Sequence, residues 1–432
     1  MKKTVLMISL IILIGIVSAT TILFLFPYSP SNPPQADDSG STQQGIQEVV
    51  NANNQFAFDL YNQYKSNEGN IFYSPYSISA ALAMTYEGAK GKTADEMKSV
   101  FHFPDDDILK TNFAAIYNEI NKEDKEYQLN TGNALWVQKD YPFLQDYLIT
   151  VENYYGGKAA NLDFVEETEK SRQTINSFIE EQTNNKIKDL IPQGALDSMT
   201  RLVLTNAVYF KGTWEWEFDK SDTREQDFKI TPNNVVQAPM MYMKNEKAEF
   251  NYADLEDLQI LELPYKGNDI SMLIILPKQG EEYDYETGEE IINDYTLEDI
   301  ELSSEKLGEY KSQMTEEKLD AIYLPKFEFD TKYSMKDTLS EMGMPTAFSE
   351  SADFSGMTGQ KDLFIGFVIH QAFVKVDEEG TEAAAATAVG MTMSAMLPRE
   401  KIFRADRPFI FIIQQKDTGD ILFIGRVEDP TK

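Results

Sequence analysis

Val376-Asp377-Glu378-Glu379-Gly380-Thr381-Glu382-Ala383-Ala384-Ala385-Ala386-Thr387-Ala388-Val389 opens the most unusual passage of this 432-residue chain. From Ala383 to Pro398 sixteen consecutive residues carry no charge. Charged residues make up 25% of the chain, so a given window of that length would be free of them roughly one time in a hundred. A core helix would be richer in Leu and Ile, and a surface loop richer in charges and turn formers. At strand period, Thr381, Ala383, Ala385, Thr387, Val389 and Met391 share one face, all of them small or apolar. Glu382, Ala384, Ala386, Ala388, Gly390 and Thr392 share the other, which takes the only charge. Such a segment can stand exposed as a loop, and it can also join a sheet with its first face buried at little desolvation cost. Alanine propensity alone favours a helix here, a reading weakened by Gly390 and the β-branched Thr387 and Val389.

On the N-terminal side of this passage the chain mixes helical and strand signals. Gln47 to Tyr64 places Val50, Phe56, Phe58, Leu60 and Tyr61 in a broken helical rhythm, and Ser77 to Tyr86 is a compact apolar segment closed by Gly88. Ser171 to Ile191 carries Ile175, Phe178, Ile179 and Ile187 at helical spacing. Leu202 to Phe210 is nearly continuous in apolar and β-branched residues, as a central strand covered on both faces requires. Leu258 to Pro264 and Ile270 to Pro277 flank the turn Lys266-Gly267-Asn268-Asp269, a hairpin signature. Pro408 to Gln414 and Ile421 to Val427 repeat the pattern around Asp417-Thr418-Gly419. Helices mostly early and strands mostly late predict an α+β fold with large antiparallel or mixed sheets.

At the other end, Lys2 and Lys3 precede an uncharged stretch from Val5 to Phe26, about the 20 residues that cross a bilayer. Val17-Ser18-Ala19 resembles a small-residue cleavage site, yet apolar sequence continues past it, which favours an uncleaved anchor. Residues 1–27 therefore read as a signal peptide or transmembrane signal-anchor, 28–45 as a flexible Ser-, Pro-, Gly- and Gln-rich linker, and 46–432 as one large domain. On either reading the folded part is extracytoplasmic, membrane-anchored or secreted. With no cysteine, such a domain holds itself together by core packing alone.

Composition narrows the chemistry further. Against 39 Lys and Arg stand 71 Asp and Glu, a formal net charge of -32 that disfavours nucleic acid as a partner. The absence of cysteine excludes thiolate metal sites and cysteine nucleophiles, and only His102 and His370 could serve a zinc site or a proton shuttle. No G-x-S-x-G elbow is present, so an extracytoplasmic hydrolase is a poor fit. The acidic stretch Glu281 to Glu290 lacks the ligand spacing of a calcium loop and reads as a solvated charged loop, and no basic stripe suggests a polyanion site.

The opening passage resembles the hinge and reactive loop of the serpin family of protease inhibitors, and Phe403-Arg404-Ala405-Asp406-Arg407-Pro408-Phe409 resembles the segment that follows that loop. Asn70-Ile71-Phe72-Tyr73-Ser74-Pro75-Tyr76-Ser77-Ile78 is similar to the family's early buried segment, and Thr205-Asn206-Ala207-Val208-Tyr209-Phe210-Lys211-Gly212-Thr213-Trp214 to its central-strand signature. Leu324-Pro325-Lys326-Phe327 and Phe423-Ile424-Gly425-Arg426-Val427-Glu428-Asp429-Pro430 fit as well, in the family's order, over about Ile46 to Pro430.

The resemblance implies a serpin fold with large mixed sheets, about eight or nine helices and an exposed reactive-centre loop. It implies a monomeric suicide inhibitor of serine proteases, without catalytic residues, cofactor or metal, whose cleaved loop inserts into the main sheet. The hinge would be Glu378, Gly380, Thr381, Glu382, Ala383, Ala384, Ala385 and Ala386, with Thr381 the first residue to insert and Glu378 paired to Lys326. Ser74, Ser77, Asn206 and His370 would form a hydrogen-bonded cluster under the opening region, and Trp214 would mark the place where the loop first enters. The scissile bond falls at Ser394 and Ala395, with Met393 and Met396 as alternatives. These side chains suit elastase-, subtilisin- or chymotrypsin-like proteases, while Arg399, the first basic residue, would lengthen the inserting segment by five. The competing reading on the same fold is a non-inhibitory binding or storage protein.

Overall fold

Buried aromatics tie two sheets together at the short strand Ile71–Tyr73. The Phe72 ring stacks on Phe423 at 5.2 Å and on Phe411 at 5.6 Å, and meets Phe329 edge-on at 6.4 Å. Phe411 and Phe423 lie in Phe409–Gln415 and Ile421–Val427, and Phe329 in Phe327–Ser334, so one side chain spans the layers. The computed structural model describes residues 35–122, 125–131, 133–244, 248–284, 289–380 and 400–432. All of these belong to one compact unit, 33–432.

Seven antiparallel strands form one sheet in the order Ile71–Tyr73, Ile421–Val427, Phe409–Gln415, Ile270–Pro277, Leu258–Pro264, Phe250–Asp254, Thr315–Glu317. Both expected hairpins are in it, and Gly267 and Asn268 take the positive φ values, 85° and 60°, of a primed turn. A four-stranded sheet runs Ile402–Arg404, Ala321–Pro325, Asn234–Met243, Arg224–Thr231. The main sheet runs Phe327–Ser334, Ile369–Val376, Leu202–Gly212, Ala134–Gln138, Lys158–Leu162, with Tyr127–Thr131 also paired to Leu202–Gly212. Nine α-helices occur among the described residues, six of them before Thr183, in keeping with the expected α+β class.

The helix Pro75–Tyr86 shows how local signals become core. Ser74 caps it by accepting a hydrogen bond from the Ser77 amide at 3.1 Å, Pro75 occupies the first turn, and all twelve residues are buried. The central strand Leu202–Gly212 buries nine of its eleven residues, as its apolar run predicts.

Three expectations are corrected. The helix predicted over Ser171 to Ile191 is Thr168–Gln182; Asn184 and Asn185 then take φ values of 50° and 61°, and the Thr183 hydroxyl caps back onto the Ile179 carbonyl. Ile187, Leu190 and Ile191 are buried by the following loop instead. The linker expected over 28–45 is not free at its end: Ala36 is buried, its amide donates to Asn118 Oδ1 at 2.8 Å, and a helix, Gln43–Tyr64, starts within it. Within the acidic stretch, the backbone of Gln279–Asp284 pairs with Glu289–Asp294 as a hairpin.

Asp420, at the turn between the last two strands, is buried and held by Asn53 Nδ2 at 2.7 Å, with its Oδ2 unpartnered. Burial pushes its carboxyl up to about 7. A carboxyl raised above its unfolded value opposes folding increasingly as pH rises from about 4 to 7. Asp420→Asn is therefore expected to gain melting temperature over the parent across that window, with the gain levelling above pH 7; a pH-independent difference would contradict the assignment.

Candidate functional site

The main sheet is closed over only half the length of its middle. The hinge strand, Ile369–Val376, runs parallel to the central strand, Leu202–Gly212, in register from Ile369↔Thr205 to Phe373↔Tyr209. Beyond Phe373, Val374 to Val376 pair only outward with Phe327 to Phe329, and Phe210 to Gly212 only outward with Tyr127 to Leu129. A strand lying between these two parallel neighbours would run antiparallel to both, with hydrogen-bonding edges on either side.

A tight turn, Asp377 to Gly380, sits at the open end. The Asp377 amide donates to the Gly380 carbonyl at 2.8 Å and the Gly380 amide donates back at 3.2 Å. Gly380 has φ +135°, and a Cβ there would lie 2.2 Å from the Gly212 carbonyl oxygen and 2.7 Å from Thr213 Cα. Both backbone conformation and space demand glycine. A strap, residues 213–223, crosses the turn: the Trp214 amide donates to Glu379 O at 2.8 Å, the Phe218 amide to Glu378 O at 2.7 Å, and the Trp214 indole to Asp377 O at 3.1 Å. The indole is buried and stacks on Tyr265 at 4.5 Å.

Three carboxylates are buried in a row here, Asp377, Glu378 and Glu379 at 9%, 2% and 1% exposure. Glu378 accepts from Lys326 Nζ at 2.8 Å and from the Thr223 hydroxyl at 2.7 Å. Burial alone would raise its carboxyl, but those two bonds outweigh it and hold the group below its ordinary range. Glu379 is ion-paired to Lys220, which it holds above the ordinary lysine range. Burial raises Asp377, with Lys375 at 3.9 Å.

At the closed end of the strand pair, His370 and Asn206 are register partners. His370 Nε2 accepts from the Ser74 amide at 3.1 Å and Nδ1 bonds to Asn206 Oδ1, so the ring is neutral with its proton on Nδ1. Asn206 Nδ2 faces Ser77 O at 2.6 Å, Ser77 Oγ at 2.8 Å and Asn133 Oδ1 at 2.9 Å. Burial lowers the imidazole to about 3. Parting the strands from the open end reaches the His370–Asn206 bond only after Phe373↔Tyr209, Ala372↔Val208 and Gln371↔Ala207 have separated, so the bond fastens the closed end.

Ser74, Ser77, Asn206 and His370 thus meet in one network, and Trp214, Lys326, Glu378 and Gly380 in another. Thr381, Glu382, Ala383, Ala384, Ala385, Ala386, Met393, Ser394 and Ala395 lie outside the described residues, as does 1–27. Asn133, Phe218, Lys220, Thr223 and Glu379 were not singled out by sequence; a run of acids normally marks a solvated face, and no local spacing links Lys220 to Glu379. Among the described residues no helix is long and apolar enough to cross a membrane, and no group of three His, Asp or Glu side chains is placed to hold a metal.

Two outcomes follow. His370 stays neutral when folded but gains a proton below about pH 6.5 when unfolded, so its contribution to stability falls as pH drops from about 6.5 towards 3. His370→Gln should cost stability at neutral pH, and that deficit should shrink by about 1.4 kcal/mol per pH unit below 6.5 in paired urea titrations. Gly380→Ala should destabilise the closed turn by about 1–3 kcal/mol, read as a lower unfolding midpoint.

The family model described as Serpin (serine protease inhibitor) matches residues 51–430. A serpin-like protein of Methanosarcina mazei is 44% identical over 391 residues, covering 89% of this chain and 88% of its own. Leukocyte elastase inhibitor A of Rattus norvegicus is 40% identical over 389 residues, covering 89% of this chain and 100% of its own. Among solved structures, uncleaved ovalbumin superposes with a TM-score of 0.75 at 31% identity, covering 88% of this chain and 100% of its own. Matched over this much of its length in sequence and in fold, the chain belongs to the serpin family of serine protease inhibitors.

Proposed function

We propose that this protein inhibits serine proteases as a suicide substrate, offering the loop after Gly380 for cleavage and trapping the acyl-enzyme by inserting that loop into the main sheet. The observation that carries this reading is the half-open parallel pair, with the hinge turn at its open end. Insertion exchanges five parallel pairings for two antiparallel ladders, which are the stronger arrangement per residue. The loop's alternation suits the exchange, because Thr381, Ala383, Ala385, Thr387 and Val389 can go under the sheet without burying a charge. Reactive-loop insertion is an established mode of this family.

The protein's own part in the chemistry is to present a peptide bond, assigned to Ser394-Ala395 with Met393 as the alternative acyl donor, and then to move faster than hydrolysis. The nucleophile belongs to the protease. Small or unbranched residues at the bond favour elastase-, subtilisin- or chymotrypsin-like targets, and similarity to a leukocyte elastase inhibitor favours the first of these. The N-terminal apolar segment supports an extracytoplasmic site of action, anchored or secreted, and the family resemblance favours a monomer.

Incubation with elastase or subtilisin should yield a covalent adduct that survives SDS, and mass spectrometry of the released C-terminal peptide should place the cut within two residues of Ser394. Cleavage without an adduct and without a gain in thermal stability would instead assign a binding or storage role. Thr381→Arg should turn inhibitor into substrate, since an arginine would have to be buried at the first inserting position. Undiminished trapping by that variant would sink the insertion argument.

A further inference from the structure

For residues after Gly380 to lie between the central and hinge strands, the turn Asp377 to Gly380 must straighten into a continuation of the hinge strand. Its two internal hydrogen bonds then break, together with the three from the strap. The backbone contacts would form with almost any side chains. Three ion pairs are sequence-specific; Lys375 meets Asp377 only at 3.9 Å, and the two closer pairs differ in what they hold. Lys326, between the strands Ala321–Pro325 and Phe327–Ser334, pulls Glu378 towards the edge of the main sheet. Lys220, in the helical turn Lys220–Asp222, ties Glu379 to the strap itself.

The second pair is asymmetric. Glu379 is 1% exposed, the deepest of the three acids, while the Lys220 side chain is 46% exposed. A deeply buried carboxylate is therefore neutralised by a lysine at the surface. Removing one partner of a buried pair leaves an uncompensated charge, which penalises only the conformation that buries it. Straightening the turn would release Glu379 from that position, so the penalty falls on the closed state alone.

We propose that the Lys220–Glu379 ion pair is a latch on the hinge turn, a positioning contact that sets the rate at which residues from Thr381 onward enter the main sheet. The inference rests on the inhibitory reading given above. Lys220 acts by holding Glu379, and through it the turn. Because the lysine stands half in solvent, dissolved salt also reaches the pair and weakens it.

The opening of the turn can be read directly, without any protease, from hydrogen exchange at Trp214 and Phe218, whose amides donate to Glu379 O and Glu378 O. Lys220→Gln should speed exchange at both amides roughly tenfold, while Lys220→Arg keeps it near the parental rate. The double change Lys220→Gln with Glu379→Gln, which leaves no orphan charge, should fall between them. Added salt should speed exchange in the parent and have little effect in Lys220→Gln. A synthetic peptide of residues 381–394 should anneal into Lys220→Gln about tenfold faster than into the parent, followed by the gain in thermal stability. Unchanged exchange or annealing in Lys220→Gln overturns the latch even if the parent traps elastase; a parent that accepts the peptide but traps no protease overturns the inhibitory reading and leaves the latch standing.

Discussion

The parallel contact between Ile369–Phe373 and Thr205–Tyr209 is the constraint on which the rest of this molecule depends. Parallel strands cannot be joined by a tight turn, so the chain spends more than 150 residues between them, including both inner strands of the four-stranded sheet. Because the two run the same way, the space between them suits an antiparallel strand, and the next segment of chain leaves from the end where they have separated. The fully buried helix Pro75–Tyr86 lies under the closed end and supplies Ser74 and Ser77 to the His370–Asn206 bond. The strap closes the other end through backbone bonds to the turn. Both ends of one short strand contact are thus fastened from outside the sheet.

Charge is placed against the general trend of the chain. In a protein with a net charge of -32, cations are scarce, yet Lys220, Lys326 and Lys375 all gather around the three buried acids of the turn Asp377 to Gly380. Buried pairs of this kind add little to net stability, since desolvation offsets most of the attraction. Their effect is to make one conformation specific, because each carboxylate is tolerated only where its lysine meets it. His370 and Asp420 show the complementary solution, in which a buried group gives up its charge. The imidazole shifts down and the carboxyl up, so their contributions to pH dependence oppose one another between about pH 4 and 6.5.

Much of the fold was legible because it is written in short-range patterns. The apolar run Leu202 to Phe210, the two hairpins and the capped segment beginning at Ser74 are set by side-chain period and turn chemistry, and they appear where those signals put them. The helix ending at Gln182 was not legible, because Ile187 and Leu190 keep helical spacing while serving as loop anchors. The docking of Ala36 was hidden as well, since a Ser- and Pro-rich segment is tied down by Asn118 on a helix some eighty residues away. Within the site, Gly380, Glu378, Lys326 and Trp214 were visible through family resemblance. Lys220, Thr223 and Asn133 were not.

By itself the sequence determined the class of fold, the position of the central strand, and the charge-free run of mostly small residues that follows Glu382. Those properties follow from composition and period, which act over a few residues. Tertiary structure alone decided that Asp377, Glu378 and Glu379 are interior rather than surface, that a strap from 213–223 holds them, and that His370 is a neutral bridge rather than a titrating base. Each of these depends on the dielectric and the partners supplied by segments far away in the chain, and no local pattern encodes a partner that arrives only when the sheets close.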